Sequence, residues 1–183
     1  MGNVYIEDSA HELRLRELQQ EDMDLLLKML NDPRIEYSVI GWGLPVSATQ
    51  QKHWFDELRT KRDRTMYLII EEKEIPVGCF ILTDFDREAG TAEVGIKILR
   101  TSQGRMMTQW ATRIFLQYCY ETLGIRCLYA YCLSLQRATI RLVKAMHFTI
   151  EGVQRSAIYK HGRRWDIVHF SLLREEYEGS KEL

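Results

Sequence analysis

The sequence lacks three features that would each narrow its function at once: a CxxC cysteine pair, an apolar run long enough to cross a membrane, and an excess of charge of one sign. The cysteines lie in apolar segments without the spacing of zinc ligands, which favours buried free thiols over a metal site. Buried free thiols are typical of a reducing compartment, so we expect a cytoplasmic protein without a metal. The four cysteines are Cys79, Cys119, Cys127 and Cys132.

The balance of charge argues against two classes of partner. Lys and Arg number 25 and Asp and Glu 26, so no net field attracts nucleic acid or an anionic membrane. The first residues, MGNVYIEDS, lack the basic and apolar regions of a secretory signal, and Ile6 stands where a myristoylation signal requires Ser or Thr. We therefore expect no nucleic-acid partner and no membrane attachment.

Periodic patterns predict strands crossed by helices, which gives an α/β or α+β sheet with helices on both faces. Residues 1–10 are expected to be a loose tail, Tyr37–Pro45 a loop and Gly179–Leu183 a polar tail. The predicted strands are Glu12–Glu17, Met66–Ile70, Pro76–Thr83, Ala92–Leu99, Cys127–Leu133, Phe148–Tyr159 and Trp165–Leu173. The predicted helices are Gln20–Leu30, Ser47–Arg59, Gly104–Thr122 and Arg137–Met146.

The segment Thr91–Gly152 is the most informative part of the chain. A strand, AEVGIKI, runs through the turn RTSQG into an amphipathic helix, and the strand CLYAYCL then precedes the helix RATIRLVKAMHF. This order resembles the core of the GNAT N-acetyltransferases, most closely their RimJ/RimL and spermidine-acetyltransferase-like branch. QRATIRLVKAMHF is similar to the family's NPASRRVLEKLGF, and Gly162, Asp166 and Tyr177 fit the branch's closing pattern.

The resemblance covers about residues 12–177 and implies one acyl-CoA N-acyltransferase domain over residues 1–183. It implies a mixed, mostly antiparallel sheet of about seven strands with helices on both faces. The implied activity is transfer of an acetyl group from acetyl-CoA to a primary amine: a protein N-terminus, a polyamine or another small amine. Many members of the family dimerise, and the sequence leaves a homodimer open.

In the family, a helix N-terminus with the pattern Gln/Arg-x-x-Gly-x-Gly/Ala holds the pyrophosphate of coenzyme A. Met106 stands at the second glycine, where its side chain could crowd the phosphates, whereas Arg100 and Arg105 could pair with them. An ordinary helix turn without a ligand is the alternative. The cofactor-binding residues implied by the resemblance are Ile98, Leu99, Arg100, Gln103, Gly104, Arg105, Met106, Met107, Thr108 and Gln136.

The same comparison suggests the remaining roles. A backbone N–H freed by a bulge near Ile98 or Leu99 would polarise the thioester carbonyl. Glu93 would take the amine proton through water, and Thr139, at the family's serine position, would protonate the leaving thiolate. A surface carboxylate is an equal alternative for Glu93, and a hydroxyl bonded to its own helix backbone is the alternative for Thr139.

Two other functions remain open. Met106, Gln136 and His147 stand where the family conserves Gly, Asn and Gly, respectively. Together these three replacements favour a binding or regulatory protein that has lost normal coenzyme A binding. A structural subunit that pairs with a catalytic homologue is a third possibility, which a stable hetero-oligomer would indicate.

Overall fold

A computed structural model describes residues 2–41, 44–60, 65–102 and 106–180. Within them, one sheet contains eight strands: β1 (Val4–Asp8), β2 (Leu13–Glu17), β3 (Met66–Glu72), β4 (Ile75–Asp86), β5 (Thr91–Ile98), β6 (Cys127–Leu133), β7 (Thr149–Lys160) and β8 (Arg163–Leu173). Their order is β1-β2-β3-β4-β5-β6-β8-β7. Only β5 and β6 run parallel, so the predicted mixed, mostly antiparallel sheet is confirmed with one more strand than expected.

Helices cover both faces of this sheet, as predicted. They are α1 (Met23–Leu30), α2 (Pro33–Ser38), α3 (Ala48–Thr60), α4 (Met106–Gln117), α5 (Arg137–Ala145) and α6 (Arg174–Ser180), and a π-helical turn (Tyr118–Thr122) extends α4. No helix in the described ranges is long and apolar enough to cross a membrane.

Alternate residues of each strand point to opposite faces of the sheet, and they form two hydrophobic cores, one on each face. Leu68 and Ile70 of β3 join the core beneath α4 and α5, where Phe80 stacks on Phe115 with ring centroids 4.1 Å apart. Ile69 points the other way, into the core beneath α1, α2 and α3. We call these sides the α4 face and the α1 face. The alternation fixes which side chains of β5 and β6 share a face.

The structure contains three elements that the sequence patterns do not predict. Residues 4–8, expected in a loose tail, form β1 and pair with β2. Pro33, expected only to stop α1, also begins α2, because the Asp32 carboxylate accepts a hydrogen bond from the Arg34 backbone N–H at 2.8 Å and proline suits the first helical turn. The last turns of the described chain form α6, which includes residues expected in the polar tail.

Two local features agree with the sequence patterns: the start of α3 at Ser47 and the burial of the cysteines. At the start of α3, the Ser47 hydroxyl accepts from the Gln50 N–H at 3.2 Å, and the Gln50 side chain accepts from the Ser47 N–H at 2.9 Å. Three cysteines, Cys79, Cys119 and Cys132, are buried, and Cys127 is partly buried.

His147, at a glycine position of the family, ends α5 in the left-handed conformation with φ 64°. Its N–H donates to the Lys144 carbonyl at 3.1 Å, and the Phe148 N–H donates to the Val143 carbonyl at 2.9 Å. This pair of hydrogen bonds is the Schellman motif, which usually has glycine at the left-handed residue. The histidine thus preserves the backbone path that glycine provides elsewhere.

We expect His147→Gly to raise the free energy of unfolding by about 0.5–1 kcal/mol, because glycine reaches φ > 0 without the strain of a Cβ. Urea unfolding of both proteins measures the difference. Gly124→Ala is the matched control: Gly124 has φ 72° and an added Cβ would meet no atom within 4 Å, so alanine should lower stability through conformation alone. A less stable H147G would contradict the expectation.

Candidate functional site

The sheet opens between β5 and β6. Their pairing joins Thr91–Glu93 to Cys127–Tyr129, although both strands continue well beyond these residues. On its other side, β5 stays paired with β4 as far as Ile98, and β6 stays paired with β8 as far as Leu133. The two strands therefore diverge in the middle of an otherwise continuous sheet, and a wedge forms after Glu93.

The register of β4 and β5 decides which backbone groups face this wedge. The Leu99 N–H donates to the Val77 carbonyl at 2.8 Å, so this amide is engaged and cannot serve as the predicted carbonyl donor. Hydrogen-bonded pairs alternate along an antiparallel ladder, so the N–H groups of Ile96 and Ile98 are directed to the side of β6. The irregularity of this pair lies after Thr83 on β4, so the divergence of the strands takes the place of the expected bulge.

The wedge contains a cavity of about 330 Å³. It brings together four of the predicted site residues: Glu93 and Ile98 of β5, and Gln136 and Thr139 at the start of α5. The predicted residues Leu99, Met106, Met107 and Thr108 do not line it. It also includes Tyr131 of β6, which the alternation in CLYAYCL places on the same face as Tyr129 but does not single out.

Glu93 is the acidic group of this cavity. The Tyr131 phenol is near enough to this carboxylate to influence its ionisation. Desolvation raises the pKa of the Glu93 carboxyl, the hydrogen bond from Tyr131 lowers it in part, and the Asp84 carboxylate raises it again. The pKa of Tyr131 rises to about 12, chiefly through desolvation of the phenol and then through the negative charge of Glu93. Glu93 is thus a half-buried carboxyl whose proton affinity is increased, as suits a base.

Thr139 and Gln136 have different surroundings at the start of α5. Among the described residues, the Thr139 hydroxyl makes no hydrogen bond, including the one to its own helix that was its alternative role. The Gln136 side-chain amide donates to the Ser38 carbonyl at the end of α2. Gln136 therefore fixes a wall of the cavity to the end of α2.

The first turn of α4 is the candidate phosphate cradle, although Gln103, Gly104 and Arg105 lie outside the described residues. Met106 begins the helix with a side chain that is 55% exposed, whereas the Met107 side chain is 2% exposed in the core and can offer only its backbone. The buried Thr108 hydroxyl finds no hydrogen-bond partner among the described residues. A helix N-terminus beside an unpaired hydroxyl provides donors for an anion.

Lys97 of β5 is the residue that the sequence analysis missed. It lines the first cavity and also a second cavity of about 380 Å³ beneath α1 and α3. Burial lowers the pKa of its ammonium group, and the Cys79 thiol opposite raises it in part. The available signal was a lysine within the apolar run AEVGIKI, whose other charged residue is Glu93.

The chain belongs to the GNAT acetyltransferase family: residues 12–149 match the model of the acetyltransferase (GNAT) domain. It is accordingly an acetyltransferase. A relative from Bacillus licheniformis, the uncharacterized N-acetyltransferase p20, is 27% identical over 170 residues, which are 91% of this chain and 96% of that protein.

Two solved structures share the fold. Spermidine N-acetyltransferase from Vibrio cholerae, in complex with CoA and spermine, has a TM-score of 0.83 at 18% identity and covers 91% of this chain and 98% of its own. RimL, the ribosomal L7/L12 α-N-protein acetyltransferase, in complex with CoA, has a TM-score of 0.80 at 18% identity and covers 93% and 98%. Both belong to the branch that the sequence resembles.

Replacing Tyr131 by phenylalanine is expected to raise the pKa of Glu93 further, because the hydrogen bond that stabilises the carboxylate is lost. Carbon NMR of labelled glutamate side chains, followed as a function of pH, measures the change. Tyr129→Phe is the matched control, since this tyrosine lies opposite Glu93 in the register and interacts with it through charge. A Glu93 pKa that is the same in Y131F and wild type would contradict the assignment of this hydrogen bond.

Proposed function

We propose that the chain transfers the acetyl group of acetyl-CoA to a primary amine by direct attack of the amine on the thioester. The observation that carries the proposal is the divergence of β5 and β6, which directs two backbone N–H groups and the Glu93 carboxyl towards one cavity. Acetyl-CoA would supply the activated acetyl group. The side chains and amides of this chain would bind it, orient the amine and move the protons.

The residues at the start of α4 fit the phosphates of such a cosubstrate. The first helical N–H groups have no partner within the helix, and the Thr108 hydroxyl adds a buried donor without a partner in the described chain. Met106 replaces a glycine, but its side chain is exposed and unbranched, so it can turn away from an anion. Arg100 and Arg105 are the charged donors that we assign to the same phosphates.

The N–H of Ile96 or Ile98 is the group that we assign to the thioester carbonyl. Both amides are directed to the wedge side of β5, whereas the neighbouring Leu99 amide is held by Val77. A fixed N–H donor stabilises the negative charge that develops on this oxygen when the amine attacks. This assignment keeps the predicted Ile98, drops Leu99 and adds Ile96.

Two side chains would then move protons. Glu93 accepts the proton of the attacking amine, directly or through water, and its raised pKa strengthens it for this task. Thr139 supplies the proton for the departing thiolate from a hydroxyl that lines the cavity and is not engaged by its own helix. Tyr131 acts as a positioning residue, because its hydroxyl favours the ionised form of the Glu93 carboxyl.

A second candidate function, a binding protein without normal turnover, has its own observation. Gln136, at the asparagine position of the family, is engaged by the Ser38 carbonyl and not directed to a cosubstrate. Met106 stands at the first residue of the cradle helix. Affinity for acetyl-CoA separates the two functions.

Calorimetry with acetyl-CoA and with CoA is expected to give micromolar dissociation constants for the wild type, with Met106→Gly binding equally or slightly more tightly. The physical reason is that an exposed methionine can move aside, while the helix donors remain. Absence of binding by the wild type with recovery in M106G would favour the binding protein and contradict the proposed turnover.

Glu93→Gln is expected to lower kcat by about 10²–10⁴-fold while the affinity for acetyl-CoA stays unchanged, because only proton removal is lost. Release of CoA thiol is the readout, with the fastest acceptor among spermidine, a peptide with a free N-terminus and an aromatic monoamine. Glu88→Gln removes the same charge from the exposed turn between β4 and β5 and should keep the wild-type rate. Full activity of E93Q would exclude Glu93 as the base.

A further inference from the structure

The cavity of the wedge reaches from one face of the sheet towards the other. The start of α5, with Gln136 and Thr139, borders it on the α4 face, because α5 packs in the core of that face. The Glu93 side chain points to the opposite face, the α1 face, since its neighbours Ala92 and Val94 belong to the core beneath α4. An amine that gives its proton to Glu93 therefore approaches from the α1 face.

On the α1 face, the cavity is bordered by a wall from the end of α2. We call its residues Ile35, Ser38, Val39 and Ile40, which line the cavity, the α2 wall. Ile35 is buried in the core of the α1 face, but α2 has only six residues, Pro33–Ser38, and an isolated helix of that length is not stable in water. Contacts with other parts of the chain must therefore fix the position of this wall.

Lys160, the last residue of β7, provides such contacts. Its ammonium group donates to the carbonyls of Glu36 and Val39 at 2.5 and 2.8 Å, and it lies 2.8 Å from the Glu36 carboxylate. The three hydrogens of an ammonium group match these three acceptors, and only 10% of the lysine side chain is exposed. The last carbonyls of a helix have no regular partner within it, so the lysine supplies donors where α2 ends.

The β7–β8 hairpin holds Lys160 in a defined place. Its loop consists of His161 and Gly162, with φ values of 52° and 77°, which is the conformation of a tight two-residue turn of type I′. The Trp165 indole N–H donates to the Lys160 carbonyl at 3.1 Å. The His161 ring stacks on the Tyr37 ring of α2, with centroids 4.4 Å apart. A short, well-held turn thus presents the ammonium group to the α2 wall.

We propose that Lys160 is a positioning residue for the acceptor: its contacts with α2 hold the α2 wall in the place that a bound amine requires beside Glu93. The proposal rests on the acetyl transfer proposed above, and it adds a residue that does not touch the reacting atoms. The Gln136 amide holds the same wall through the Ser38 carbonyl, so the wall is joined both to the hairpin and to α5. Loss of the Lys160 contacts should loosen the acceptor side of the cavity and leave the first turn of α4 unchanged.

Lys160→Met removes the ammonium group and keeps a long side chain. We expect the KM of the acceptor to rise about tenfold or more, because hydrogen bonds from a charged donor are lost, while kcat and the dissociation constant of acetyl-CoA change less than about threefold. The acceptor is the amine that the wild type acetylates fastest among spermidine, a peptide with a free N-terminus and an aromatic monoamine. An unchanged acceptor KM in K160M would overturn the proposal.

Lys73→Met is the matched control for this variant. Lys73 also lies at the tip of a hairpin, between β3 and β4, and its ammonium group lies 3.4 Å from the Glu12 carboxylate. This ion pair is exposed, and exposed pairs contribute little, so K73M should keep the wild-type KM and kcat.

Glu36→Gln tests the contact from its other side. The change removes the carboxylate charge and retains the two carbonyl acceptors, so it should raise the acceptor KM less than Lys160→Met does. In the double variant the two effects should be less than additive, because both changes remove one shared contact. Fully additive effects would show that Lys160 acts on the acceptor by another route.

Hydrogen exchange provides a readout independent of turnover. In K160M, the amides of residues 33–40 should exchange at least about tenfold faster than in wild type and K73M, whereas those of α4 should keep their protection. Unchanged exchange of residues 33–40 would overturn the proposal, as would faster exchange that extends to α4, since that would indicate a general structural role. A wild type that binds acetyl-CoA but acetylates no amine would count against the transferase function, and the exchange of residues 33–40 would still test the contact.

Discussion

Each part of the candidate site depends on one constraint: β5 and β6 pair over three residues each and then separate. Backbone N–H and C=O groups in a sheet are normally satisfied by a neighbouring strand, and a gap within a sheet removes that neighbour. The chain tolerates the gap because the outer side of each strand remains paired, and because α4 and α1 pack on opposite faces. The side of β5 that faces the wedge is then turned towards the cavity and not towards a neighbouring strand, so a ligand can lie along it in the manner of an added strand.

The departures from the family pattern have smaller structural effects than their chemistry suggests. His147 adopts the left-handed conformation that glycine would supply, so α5 ends with its usual hydrogen bonds. Gln136 is longer than asparagine, and it reaches the Ser38 carbonyl across the cavity mouth. Met106 is exposed at the first turn of α4 and displaces no core residue. Each substitution is therefore compatible with an intact wedge.

Sequence patterns predict the parts of the fold that local physics determines. β6 has the predicted bounds, Cys127–Leu133, because an apolar run between turns has one favourable conformation in a buried sheet. The same sequence patterns do not predict β1, a short edge strand that exists only through its pairing with β2. They also do not predict α2, where a proline both ends one helix and begins the next. The type of a helix or strand is thus easier to predict from sequence than the structure of a chain terminus or the role of a helix-breaking proline.

The candidate site shows the same difference between features that local sequence predicts and features that long-range contacts determine. Glu93, Ile98, Gln136 and Thr139 come together as a family alignment implies, because each has a fixed place on a strand or helix. The engagement of the Leu99 amide depends on the register with β4, and the Gln136–Ser38 contact joins residues 98 positions apart. Lys97 reads as an ordinary strand residue until α1 and α3 are packed above it. Such long-range contacts have no local signature.

The wall beside the wedge is held from the far end of the chain. At the tip of the β7–β8 hairpin, the Lys160 ammonium group donates to the Glu36 and Val39 carbonyls at 2.5 and 2.8 Å, and the His161 ring stacks on Tyr37. The Lys160–Val39 contact spans 121 positions in sequence. During synthesis, the strands of the wedge and the segment after α2 emerge long before this hairpin, and contacts of such separation form late in folding. The cleft is therefore completed only when the β7–β8 hairpin has been made, so ligand binding depends on a segment far from the wedge in sequence.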